Sequence, residues 1–145
     1  MAPLTKGRTT PRIEGDQRQG AVAATAVLFV GAILMRNAAG FITNGQTALG
    51  LVGVGVCHKD VNNSTGADGD VVAEYGIGCF SFANSAGADE ITAADIGNVA
   101  YAVDDQTVAR TNGTNTRSPA GTIEGVDARG VWVRFDEALT NAAVA

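Results

Sequence analysis

In the last third of the chain, large and small or apolar and polar residues alternate over short runs. Most of these runs stop at a cluster of Asn, Asp or Gly. Period-two alternation is the mark of a strand with one buried face. Val99–Val103 is one such run; Asp104-Asp105-Gln106 turns it into Thr107–Thr111. Asn112-Gly113-Thr114-Asn115 is a second turn, since Asn and Gly accept positive φ at little cost. Ala120–Val126 returns, and Asp127–Gly130 leads into Val131–Phe135. Here Val131, Val133 and Phe135 share one face, and Trp132 and Arg134 the other. Trp132 is expected either in the packed core or outside a barrel, on a surface that meets another subunit.

Earlier runs read the same way. Leu49–His58 is a glycine-interleaved strand with Val52, Val54 and Val56 on one face and Gly53, Gly55 and Cys57 on the other. The small face allows another backbone to approach. Val71–Ala83 reads as two strands or one bent strand, with Gly76 and Gly78 at the bend. Lys59–Asp70 and Asn84–Asp89 read as polar loops. Thr92-Ala93-Ala94-Asp95 has the spacing of a helix capping box and predicts one short helix over Thr92–Ile96.

Residues 20–35 carry no charge and are rich in branched side chains. They are expected as two buried strands, with Arg36–Gly40 as the following hairpin turn. The alternative is an exported or membrane-anchored chain using this stretch, which is short for a span. Residues 1–19 lack apolar periodicity, and Pro3 and Pro11 oppose a helix. They predict an extended N-terminal arm. The organisation expected is therefore an arm at 1–19, a β-rich domain at 20–137 and a tail at 138–145. The fold class is mainly β: a small barrel or sandwich with one short helix.

Composition supports this: glycine reaches 19 of 145 residues, which suits tight turns. The net charge of −5 argues against nucleic acid as a partner. The charge is uneven. Residues 1–19 hold Lys6, Arg8, Arg12 and Arg18 against Glu14 and Asp16, leaving six basic and thirteen acidic residues for the remainder. A basic arm on an acidic body is expected of a protein that docks on others. Arg8, Arg12 and Arg18 are candidates for contacts to carboxylates, and Leu4 and Ile13 for plugging shallow pockets. Trp132 joins them as a candidate partner contact.

Candidate chemistry is sparse. Cys57 and Cys79 have neither CxxC nor metal-site spacing and are expected as free, buried thiols. His58 follows Cys57 directly, so in a strand the two point to opposite faces and do not form a dyad. Asp68-Gly69-Asp70 lacks the spaced ligands of a calcium loop, and Asp104-Asp105 reads as a turn. No catalytic residue, metal ligand or cofactor is expected. A small cysteine hydrolase using Cys57 or Cys79, or an enzyme-associated β-domain, is the alternative.

The pattern IxxxDIGxxxYAVDDxTV over 91–108, followed by GTxTRSPAGxxxxVDxxGVWV over 113–133, resembles the capsid decoration, or cement, proteins of tailed bacteriophages. The matching residues shape a fold and are not catalytic. The resemblance implies a non-enzymatic β-rich module, made in the host cytoplasm and bound to the outer surface of the virion. Its implied partners are the major capsid protein and itself, as a homotrimer, with no membrane. Its implied work is to bridge capsomers against the pressure of packaged DNA.

Overall fold

Most of the polar clusters noted above end or link strands. The computed structural model describes residues 2–13 and 15–145; Met1 and Glu14, both counted in the expected arm, lie outside the described residues. The strands are β1 (Gln17–Ala21), β2 (Val27–Leu28), β3 (Ile33–Arg36), β4 (Ile42–Asn44), β5 (Val52–Cys57) and β6 (Val61–Asn62). They continue as β7 (Val72–Gly76), β8 (Gly78–Asn84), β9 (Val99–Ala102), β10 (Thr107–Ala109), β11 (Pro119–Asp127) and β12 (Gly130–Phe135), and the α-helix α1 is Glu137–Val144.

Strands β8 to β12 close a five-stranded barrel in the order β10-β8-β12-β11-β9. All pairs are antiparallel except β10 with β8. Alternation along β9 and β12 sends Ala100, Ala102, Val131, Val133 and Phe135 inward, where they meet Phe82, Val108 and Ile123. Phe82 and Phe135 pack edge to face with ring centroids 5.9 Å apart.

The other strands form an antiparallel sheet, β1-β7-β5-β3-β4, and a ribbon, β2-β6. The central strands β3 and β5 are buried on both faces. Ile33, Met35 and Val56 join the barrel core, while Leu34, Val54 and Cys57 join a second core with Val22, Leu28, Ile42, Ala73 and Tyr75. A parallel bridge from Val22 to Ile42 brings the end of β1 against β4, so this sheet curls over its own core. The curl covers part of an edge that would otherwise invite pairing.

Several expectations are corrected. The three valines of β5 do not share a face, because the register against β3 slips between Gly53 and Gly55. Val54 is the extra residue of a bulge, and its side chain turns away from that of Val56. The Thr92–Asp95 capping box forms, but it caps only a 3-10 turn, Ala93–Asp95. The short α-helix is instead at the C-terminus, where a tail was expected from 138. Asp136 caps it by accepting from the Leu139 amide at 3.0 Å. Eight residues do not hold a helix alone. Contacts to β5 and β11, the buried Thr140, and Arg36 paired with Glu137 at 3.0 Å supply the rest.

The β-structure starts earlier than residue 20. Gln17–Ala21 pairs with β7 in full register, from Gln17 opposite Gly76 to Ala21 opposite Val72. Its polar residues concealed it: Gln17 and Gln19 face solvent, and only Gly20 and Ala21 lack a polar side chain. Residues 71–83 do divide near Gly76 and Gly78, and the two halves enter different sheets.

The 59–70 loop is not simply a surface loop. Asn63 is buried, and its Nδ2 donates to the carbonyls of Ala23 at 2.9 Å, Ala67 at 3.0 Å and Val22 at 3.5 Å. Asp68 and Asp70 are occupied in the same hinge: Asp68 accepts from the Ala24 amide and Asp70 from the Ala67 amide.

Candidate docking surfaces

The arm is the first surface. Ala2–Ile13 is exposed throughout, with Leu4 and Ile13 at 71% and 76%. Proline and the lack of apolar periodicity keep it from building a core. Its root is fixed. The amide of Ile77 donates to the carbonyl of Asp16 at 2.8 Å, one residue before β1. Ile13 lines a surface groove together with Gln17, Arg18, Gln19 and Glu74.

Arg18 differs from the other arm candidates. It lies in β1, half-buried, and its Nη1 donates to the carbonyls of Gly15 and Gln17, each at 2.8 Å. It locks the entry to the strand and is not a cation carried on a free arm. Arg12 also sits near this root, ahead of β1, while Leu4 and Arg8 lie further out along the arm.

Trp132 defines the second surface, on a different sheet. It lies outside the barrel, half-buried, and not in the core. Its Nε1 donates to Asp127 Oδ2 at 2.8 Å, and the Arg129 guanidinium stands 5.9 Å from the ring centroid. Asp127 also accepts from the Arg129 amide at 2.8 Å. Arg134 pairs with Glu124 at 3.5 Å on the same barrel exterior. The indole is thus held in one orientation, flanked by charge, as a rigid amphipathic plate suited to contact.

The hydrogen bond from Trp132, with that from the Arg129 amide, holds the Asp127 carboxyl below the usual carboxylate range. A depressed carboxyl supports the fold above its ordinary pKa, and that support is lost as pH falls through the folded value. Trp132 is the chain's only tryptophan, so its fluorescence reports on this pair. Emission is expected to hold steady from neutral pH down to about 4, the ordinary carboxylate value, and to change only below it. A transition centred well above that value contradicts the pairing.

The third surface was not foreseen. Residues 20–35 do supply buried strands β2 and β3, but the link between them, Phe29 to Ala32, is a tight turn with Phe29 and Val30 exposed. Gly31, at φ +87°, is the signal that places a turn there. Uniform hydrophobicity hid it. Among the described residues no helix is long and apolar enough to cross a membrane.

The sulfur and imidazole groups are dispersed. Cys57 is buried, and its Sγ donates to the Lys59 carbonyl at 3.1 Å. Cys79 is exposed, contrary to expectation, because it sits opposite Arg134 on the outward face of β8. Burial raises both thiols above their ordinary pKa; at Cys79 the Glu124 charge adds to this. Both are therefore mostly protonated at neutral pH, the less nucleophilic form. His58 is exposed and contacts Gln17 Nε2 through Nδ1 at 3.4 Å. Asp104 accepts from the Gln106 amide within its turn. Among the described residues no group of three His, Cys, Asp or Glu side chains is placed to hold a metal ion.

The chain presents an exposed arm, an oriented tryptophan and an apolar turn on a β body with two cores. No known protein family, curated protein or solved structure matches the chain.

Proposed function

We propose that this chain is a structural capsid decoration protein, which binds the outer surface of a phage head and stabilises contacts between major capsid protein subunits. The observation that carries the reading is the exposed arm rooted directly in a strand of a rigid body. Such an arm has no role in the core of its own domain, yet twelve extended residues reach about 40 Å at roughly 3.3 Å each. That is far enough to cross a neighbouring subunit. The motif over 91–133 supports the same reading.

Ordering the arm costs backbone entropy, which burial of Leu4 and Ile13 and contacts from the arm's cations must offset. The arm is thus held only when docked. Its test is deletion of residues 2–13, which leaves β1 intact. At a concentration where the free protein is monomeric, the truncated chain is expected to keep its thermal midpoint. Its affinity for assembled heads should fall by about tenfold or more, equivalent to about 1.4 kcal/mol. Undiminished binding and undiminished protection of heads against heat would show that the arm takes no part.

A further inference from the structure

The turn between β2 and β3 is the one place among the described residues where two large apolar side chains adjacent in sequence both stand exposed, Phe29 at 58% and Val30 at 62%. They cannot fold inward, because the turn's backbone is already committed. The Ala32 amide donates to the Phe29 carbonyl at 3.0 Å, Gly31 to the Cys57 carbonyl at 2.9 Å, and Val30 to Asp60 Oδ1 at 2.8 Å. The turn lines a groove of about 270 Å³ with Asp105 and Gln106. Asp104 and Asp105 are acidic and make no ion pair among the described residues. Asp105 lines the groove beside the apolar turn, and Asp104 is its exposed neighbour in the chain.

The arm carries the matching pattern. The free arm bends at Thr5 and Lys6; drawn out as a strand against a partner, it puts Leu4, Lys6 and Arg8 on one apolar and basic side. We infer that the arm of a second copy of this chain docks in this groove, with Leu4 against Phe29 and Val30 and with Lys6 and Arg8 against Asp104 and Asp105. A chain's own arm does not lie there: Ala2–Ile13 is exposed throughout, and Ile13 lies over β1. One sequence supplies both complementary parts, a basic arm and an acidic groove. Contact between an arm and a groove is heterologous, so it leaves no part unsatisfied only when the copies close into a ring. This adds contact between copies of the chain to the proposed function and rests on that reading for its setting. Its test uses the purified chain without heads, so failure here leaves binding to heads untouched.

The experiment is sedimentation of the full chain and two variants over a wide concentration range. One variant carries Asp104→Lys and Asp105→Lys; the other carries Lys6→Glu and Arg8→Glu. The wild type is expected to associate, and each variant alone to associate about tenfold more weakly or worse. An equal mixture of the two is expected to associate more tightly than either variant alone, because at every contact between unlike copies an arm meets a groove of opposite charge. That gain cannot come from misfolded chains. Val30→Ser, at an exposed position, is a second probe and should weaken association without moving the thermal midpoint. A wild type that stays monomeric, variants that associate like the wild type, or a mixture that associates no more tightly than either variant alone would each overturn the inference.

Discussion

Replacing Gly53 by alanine is expected to cost more than about 4 kcal/mol, a magnitude reserved for a few mechanisms in natural proteins. The mechanism here is backbone collision. A Cβ on Gly53 would stand 1.7 Å from the Ala120 carbonyl oxygen and 2.5 Å from its carbon. Neither atom belongs to a side chain that can rotate aside. Ala120 is in β11, paired on one side with β9 and on the other with β12, so moving it means opening the barrel. Total stability in domains of this size is about 5–15 kcal/mol. The thermal midpoint should therefore drop by roughly 10 °C or more, or soluble protein should not be recovered. Gly125→Ala is the control: a glycine in β11, the strand that Gly53 faces, with nothing within 4 Å of the added atom. It should change the midpoint little. A Gly53→Ala protein as stable as the wild type would contradict the packing of sheet on barrel.

The second large effect is expected at Asn63. Alanine there leaves the Ala23 and Ala67 carbonyls, and the more distant Val22 carbonyl, without their side-chain donor. Each carbonyl keeps one backbone donor, from Gly69, Ala26 or Asp70, so the cost is that of the lost side-chain bonds at about 1 kcal/mol each, and a loss of about 2–3 kcal/mol in denaturant unfolding is the expected result. The loss should have a local signature. Thr25 and Gly66 donate their amides to the Asn63 carbonyl, and their hydrogen exchange should accelerate first. A loss under about 1 kcal/mol would mean that solvent replaces the amide without difficulty, and that this loop is not a structural hinge.

These two sites mark the limits of what the chain discloses as a string of letters. Strands with clean alternation were legible, as in Val131, Val133 and Phe135 against Trp132 and Arg134, because the period maps directly onto two faces. The glycine positions of β5 announced that another backbone comes close, but not which one. The structure fills the space at Gly53 with β11 of the same chain and the space at Gly55 with Gly76 and Tyr75. That glycine face is therefore not an argument for a partner subunit. Asn63 was hidden because a buried Asn in a polar stretch looks like its exposed neighbours. Its three carbonyls come from segments about forty residues away and from its own loop.

The same distinction holds for the candidate surfaces. The arm was legible because it lacks periodicity and concentrates basic charge. Its end was not, since Gln17-Arg18-Gln19 forms a strand only through pairing with β7. Trp132 was legible as an alternating outward residue, but its tether to Asp127 depends on the turn that brings residue 127 back beside it. The apolar turn at Phe29 and Val30 was hidden by the hydrophobic residues on either side. Only the hydrogen bonds that the Val30 and Gly31 amides donate to Asp60 and the Cys57 carbonyl reveal that these two side chains are held outward.

The central claim is that this chain is a component of a capsid exterior. The most direct measurement is the composition of intact, DNA-filled heads banded on a density gradient from a lysate in which the chain is produced alongside its own capsid proteins. The account predicts that the chain travels with the heads at a fixed ratio to the major capsid protein, is reached by protease from outside, and does not exceed that ratio when free chain is added in excess. Heads that band without it, while the chain remains wholly in the soluble fraction, would contradict the account.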